Sequence, residues 1–174
     1  MRQHAKAVLI LLALAAVISN AQSSTEKQSS AQETKTSDYW VDPGTRLMWT
    51  ARDNGRNVSW KRAGKYCRDL RLAGYSDWKL PSMAELQGIF DKTVEVPGLA
   101  GGQKKLYAFT WHVKGNLFLT GDQWSSNFEV DDRGHYSGYA DYFDFNEGIS
   151  KNDPSGWPYS SDGMRALCVH SPTK

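Results

Sequence analysis

Two cysteines, Cys67 and Cys168, bracket most of what this chain can bury, and whether they join constrains its fold more than any other feature. Cys67 stands with Trp60, Ala63 and Leu70 on the apolar stripe of an amphipathic helix, and Cys168 lies in the last apolar run, Met164 to Val169. Ahead of them, Arg2 and Lys6 precede an uncharged apolar run from Ala7 to Ile18, and Ser19-Asn20-Ala21 carries small residues where a signal peptidase needs them. Residues 1–21 are therefore expected to be a secretory signal peptide. The apolar run is shorter than the roughly 20 residues that span a bilayer, so no membrane insertion is expected. No cysteine follows the run to carry a lipid anchor. The expected location is secreted or periplasmic, and in an exported chain an even pair of cysteines is most simply a disulfide. Closing a loop of about 100 residues stabilises a fold by on the order of 4 to 5 kcal/mol in the chain-entropy model. The alternative, a redox or metal pair, lacks both the close cysteine spacing and the nearby histidines it would need.

Residues 22–37 (QSSTEKQSSAQETKTS) hold no aromatic and no branched aliphatic side chain, and are expected to form a disordered spacer. Residues 38–171 are then one domain, long enough for a single hydrophobic core. Tyr39 to Val41 and Leu47 to Trp49 read as short strands either side of an Asp42-Pro43-Gly44 turn. Ser59 is placed to cap the first helix and Gly74 to end it. Ser82-Met83-Ala84-Glu85 is a capping box that opens a second helix through Leu86, Ile89 and Phe90. After Asp91 the helical period disappears, and turn residues separate aromatic runs at Leu117 to Leu119, Gln123 to Ser126, Tyr139 to Phe145 and Met164 to Val169. The expected class is α+β, two helices flanking small antiparallel sheets with long irregular loops.

The chain has 21 basic and 19 acidic residues, and removal of the leader takes away Arg2, Lys6 and no acid, leaving 19 of each. A formally neutral domain has no excess charge with which to hold a nucleic-acid backbone, so no nucleic-acid partner is expected. The charge is nevertheless segregated. Arg46 to Lys79 is mostly basic, and Thr120 to Asp162 has nine acids against Arg133 and Lys151. On the first helix Lys61, Arg62, Lys65 and Arg68 occupy the arc opposite the apolar stripe. A solvated helix face is the plain reading; an anion-binding face formed by Lys61, Lys65 and Arg68, suited to sulfated or acidic glycans, is the functional one. In the acidic half, Asp131, Asp132 and Asp144 are hard oxygen ligands that could hold calcium, although no EF-hand spacing is present. No other cofactor is expected.

Several segments resemble one family. They are Gly44-Thr45-Arg46-Leu47-Met48-Trp49, Trp60-Lys61-Arg62-Ala63, Tyr66-Cys67, the block Leu72-Ala73-Gly74-Tyr75-Ser76-Asp77-Trp78-Lys79-Leu80-Pro81-Ser82, and Glu85-Leu86. Gln123-Trp124-Ser125-Ser126, Phe145-Asn146-Glu147-Gly148 and Arg165-Ala166-Leu167-Cys168-Val169 continue the likeness, which covers most of Tyr39 to His170. The family is that of the Lcl C-terminal domain, named from a bacterial collagen-like adhesin and long catalogued as a domain of unknown function. Lys79 departs from it, standing where the family usually has Arg and so losing a planar fork. The stretch Gly121 to Gly163 is also longer and more acidic than a minimal member needs. The resemblance implies a C-type lectin-like fold whose disulfide links the first helix to the last strand. It implies recognition through the long loop region, here roughly residues 107–161. The calcium-dependent sugar motifs of true C-type lectins are missing from the sequence.

The function expected is therefore a non-enzymatic recognition or adhesion module for a glycan or a cell-surface or envelope protein. Its candidate ligand-binding residues are Trp111, Arg133, Tyr136, Trp157 and Tyr159, aromatics to stack on sugar faces beside one loop cation. Core packing is the competing role for each aromatic. A structural or assembly subunit of an envelope complex is the alternative. An enzyme is not expected: formylglycine-generating enzymes share a lectin-like architecture, but the two cysteines here are claimed by the bridge, and no catalytic motif appears.

Overall fold

The β1 strand (Tyr39–Val41) and the β2 strand (Met48–Thr50) pair antiparallel around the turn that Asp42-Pro43-Gly44 foretells. The Asp42 carboxylate closes that turn, accepting the Gly44 N–H at 3.1 Å and the Thr45 hydroxyl at 2.6 Å. The structure is a computed structural model that describes residues 37–102, 104–154 and 162–172. The expected leader, nearly all of the expected spacer, Trp157 and Tyr159 lie outside the described residues.

The first helix, α1, runs Trp60–Asp69 and buries Ala63 and Cys67 as its stripe requires. Ser59 is its extended N-cap residue but its hydroxyl makes no capping hydrogen bond. The helix stops before Gly74: Leu70 is already extended, and Gly74, at φ 83°, serves instead the tight turn that pairs Leu72 with Tyr75. The second helix, α2 (Met83–Gly88), has its capping box in full, with Glu85 N–H on the Ser82 hydroxyl and Ser82 N–H on the Glu85 carboxylate.

Beyond α2 the chain is mostly strand. β3 (Val96–Ala100) and β4 (Tyr107–Trp111) form a two-stranded ribbon. β5 (Asp122–Val130), β6 (Tyr136–Asp144), β7 (Ile149–Pro154) and β8 (Met164–Arg165) form a sheet in the order β7-β6-β5-β8, with β8 parallel to β5. The last strand, β9 (Val169–His170), pairs with β2 and closes the first sheet. The fold is thus mixed α+β, strand-rich, with short helices. Leu117 to Leu119, expected as a strand, is loop apart from a single bridge at Phe118. β3, β4 and β7 were not expected; Pro97-Gly98 within β3 reads as a turn, and only its place in a two-stranded ribbon tolerates it.

Two apolar clusters form the core. One gathers Trp49, Leu86, Ile89, Phe143, Phe145 and Leu167, and the other Met48, Ala63, Trp78, Trp124 and the disulfide Cys67–Cys168. A buried polar network is set in the same interior. Asp53 accepts the Thr120 N–H at 2.6 Å and hydroxyl at 2.8 Å, the Gly55 N–H at 2.9 Å and the Gln123 amide at 3.0 Å. Arg165, 1% exposed, donates Nε to the Thr120 hydroxyl at 2.8 Å, one Nη to Gly101 O at 3.0 Å and the other to Asn57 Oδ1. Burial pushes the Asp53 carboxyl up despite the donors aimed at it, and pulls the Arg165 guanidinium down. The network ties the segment before α1 to the end of β3, the start of β5 and β8, which are the elements that build the two pockets below.

Candidate functional site

The larger pocket is a basic cavity of about 680 Å³ beside α1, lined by Asn54, Arg56, Asn57, Arg62, Lys65, Tyr66, Asp69 and Arg71 among others. At 100° per residue Arg62, Lys65, Tyr66 and Asp69 share one arc of the helix, which places four polar heads on one wall. Arg56 and the two asparagines come from the loop before the helix, where Asn57 is fixed by its contacts with Arg165 and the Gly163 N–H. Arg71 is fixed from behind, donating to the carbonyls of Arg68 and Leu70 at 3.1 and 2.9 Å. Of the four cations lining the cavity, Lys65 is paired with Asp69, whose carboxyl it holds below the usual range. Burial, with the charge of Asp53, raises the Tyr66 phenol, so it stays a neutral donor.

The smaller pocket, about 340 Å³, is of opposite character: Tyr107, Phe109 and Trp111 line it together with Asp122, Asp144, Asp162 and Asn146. The three aromatics alternate along β4 and so project from one face. Phe109 packs on Trp111 with ring centroids 4.7 Å apart. The carboxylates are unequally served. Asp144 accepts Lys151 Nζ at 2.9 Å and the N–H groups of Asn146 and Glu147 at 2.8 and 3.1 Å. Burial acts against those bonds, but they win and hold its carboxyl below its ordinary value. Lys151 is held above the usual range by Asp144 and Glu147. Asp122 has no protein hydrogen-bond donor among the described residues; burial and then the neighbouring Asp144 charge push its carboxyl up to about 7, against the opposing pull of Lys151 and Arg165.

A third feature is the projecting hairpin of β5 and β6. Toward its turn Trp60 stacks on Tyr136 with centroids 5.5 Å apart, and Phe128 packs against both at 5.6 Å. Phe128 and Val130 are 48% and 51% exposed, which leaves an apolar surface at the hairpin.

The block ahead of α2 serves the fold at Trp78 and Lys79. Trp78 is buried and donates its indole N–H to Leu72 O at 3.2 Å, while Lys79 exchanges two backbone hydrogen bonds with Val169, each 2.9 Å. The Lys79 ammonium holds one oxygen of Glu85 at 2.9 Å while the other oxygen closes the capping box, so a point charge suffices there. The family model of the Lcl C-terminal domain matches residues 38–170. The chain belongs to the Lcl C-terminal domain family. No curated protein and no solved structure matches it significantly.

Within this Lcl C-terminal domain the expected site residues do not converge. Trp111 is only 4% exposed, and its indole N–H is taken by Leu99 O and Leu119 O at 3.0 and 3.1 Å. It walls the acidic pocket rather than offering a free face. Gly98 is packed under it: a side chain there would overlap the Leu119 carbonyl and the indole. Tyr136 and Arg133 belong to the hairpin, Arg133 at its exposed turn, so neither joins Trp111. Trp157 and Tyr159 lie outside the described residues. Of the anion set, Lys65 lines the basic pocket and Lys61 and Arg68 do not, since their helical positions turn them toward Gly64 and away from Arg62. The calcium set is not brought together. Asp131 and Asp132 sit before β6 and Asp144 at its far end, separated by the length of the strand, and the Asp131 carboxylate caps its own turn through the N–H groups of Arg133 and His135. Among the described residues no group of three His, Cys, Asp or Glu is placed to hold a metal ion.

Sequence reasoning passed over Arg56, Arg71, Tyr107, Phe109 and Asp122. The period-2 spacing of Tyr107, Phe109 and Trp111 is a signal that could have found the aromatic wall. Arg62, Lys65, Tyr66 and Asp69 at i, i+3, i+4 and i+7 could have found the basic one.

Proposed function

We propose that this domain is an exported, non-enzymatic recognition module that binds an acidic glycan in the basic pocket beside α1. The observation that carries the reading is the set of Arg56, Arg62, Lys65 and Arg71 around one cavity in which Asp69 is the single acid among the described lining residues. Arginine forks match sulfate and carboxylate in two-point contacts. The Tyr66 hydroxyl stands beside them to donate to a sugar hydroxyl, while Asn54 and Asn57, each held on both sides by protein partners, form a fixed floor. A lectin-like architecture is supported by the disulfide between α1 and the segment entering the last strand, and by small antiparallel sheets beside two helices. No helix among the described residues is long and apolar enough to cross a membrane, and the disulfide suits an oxidising compartment.

The test is a glycan array probed at low and high salt, with and without EDTA, using the protein and its Arg56→Ala/Arg62→Ala variant. Sulfated or carboxylated glycans should be retained at low salt, released at high salt, indifferent to EDTA and lost in the variant. Retention of neutral glycans alone, or of acidic glycans by both proteins equally, contradicts the reading.

A second reading has its own observation. The exposed Phe128, Val130 and Tyr136 of the hairpin give an apolar surface suited to a protein neighbour, as an assembly subunit of an envelope complex would need. Cross-linking from a photoreactive residue at Val130 in intact cells should capture one protein partner if this holds; an absence of cross-links removes it.

A further inference from the structure

We infer that the aromatic-walled pocket between β4 and the sheet is a second binding site, and that it takes an amine-bearing sugar through its ammonium group. The site is a cavity rather than a charge cluster: its wall is the side-chain row of Tyr107 and Phe109 over the edge of Trp111, and Gly101, Gly102, Gly121 and Gly163 complete it. Gly121 and Gly101 are required by close packing, because a side chain there would strike the Gly163 and Lys105 carbonyls, and Gly163 by its φ of 82°. Its volume of about 340 Å³ lies at the low end of the roughly 300–1,000 Å³ of small-molecule sites. That is room for a sugar ring, and wider than the thin rod of a lysine side chain.

The chemistry selects a cation. Among the described residues three carboxylates, Asp122, Asp144 and Asp162, line the cavity and no basic residue does. The two nearby cations are engaged elsewhere: Lys151 bridges Asp144 and Glu147 at 2.9 and 3.0 Å, and Arg165 is spent on Thr120, Asn57 and Gly101. Asp144 is satisfied by three donors and Asp162 accepts the Asn57 amide, so among the described residues the carboxylate without a protein donor is that of Asp122. An ammonium group supplies donors and charge to Asp122 and is attracted to the aromatic faces as well. A neutral sugar would leave the charge uncompensated and an acidic one would be repelled. This pocket is distinct in residues from the basic one, so either site can fail without the other.

The experiment is calorimetric titration of the protein with a glucosamine trisaccharide, its N-acetylated counterpart and N-acetyl-lysine amide. The free-amine sugar should bind, and acetylation of its amines should cost at least about tenfold in affinity. Asp122→Asn should cost a similar factor, with its fold verified by circular dichroism, and Tyr107→Ala should weaken the free-amine sugar without touching the interior. Equal affinity for the acetylated sugar, no binding of the free-amine sugar, or binding untouched by both variants overturns the inference. Lysine amide bound as tightly as the amino sugar overturns the assignment to a sugar.

Discussion

The two pockets differ in construction as much as in charge. The basic one is drawn on the exposed face of a short helix and the loop before it, where charges remain hydrated and cost the fold little. The acidic one is set among strand ends and tight glycine contacts, where a carboxyl such as Asp122 is desolvated and raised. The first can vary its side chains without disturbing the core; the second is part of the core's edge, and its chemistry carries a stability cost. Both hang on Arg165, which reaches Asn57 on one side and Gly101 on the other. Both also depend on the bridge that holds α1 against the closing strand.

The comparison breaks most severely if that bridge is removed. Cys67→Ser/Cys168→Ser opens a loop of about 100 residues and should cost on the order of 4 to 5 kcal/mol, read as the loss of denaturant midpoint in a urea melt. Next comes Arg165→Ala, which strips Thr120 and Asn57 of a donor and removes a cation that interacts electrostatically with the buried Asp53. About 3 kcal/mol or more is expected, with both pockets damaged together. A loss confined to one pocket would show that Arg165 is not their common support.

Asp122→Asn separates the pockets by pH. Because the folded protein raises this carboxyl from 3.8 to about 7, the native state holds the proton more firmly than the unfolded chain does. Its contribution is therefore most favourable at low pH, drains away between about 4 and 7, and stays unfavourable above that. The variant should be more stable than the parent at pH 8 by on the order of 4 kcal/mol, and the two should coincide near pH 4. The smallest effect on the fold belongs to Arg62→Ala, expected within about 0.5 kcal/mol in stability while weakening acidic-glycan binding severalfold. A large loss of stability there would mean that the helix face is structural.

The same contrast explains what could be read in advance. The helix stripe, the capping box at Ser82 and Glu85 and the Asp42 turn are local signals, the Cys67–Cys168 pair is legible because the chain has two cysteines to join, and the structure has them all. β3 was hidden by Pro97-Gly98, and β7 by the polar run Ser150 to Asp153, because neither strand is specified by its own pattern. The basic pocket was half legible, since helical geometry fixes Arg62 and Lys65, but Arg56 and Arg71 arrive through loop closure. The acidic pocket was legible only in its aromatic row, through the period-2 spacing of Tyr107, Phe109 and Trp111; Asp122 and Asp162 join that row through the pairing of β5 with β8. Calcium ligands chosen from Asp131, Asp132 and Asp144 fail for the same reason, since proximity in sequence became opposite ends of a strand.

The central claim is that acidic glycan binds at α1. Titrating ¹⁵N-labelled protein with a heparin-derived tetrasaccharide, and following backbone amide shifts, tests it most directly. The largest shifts should fall on Asn54 to Val58 and Arg62 to Arg71, and should fade as salt is raised. Shifts that are absent, or largest on the hairpin from Phe128 to Tyr136, would contradict it.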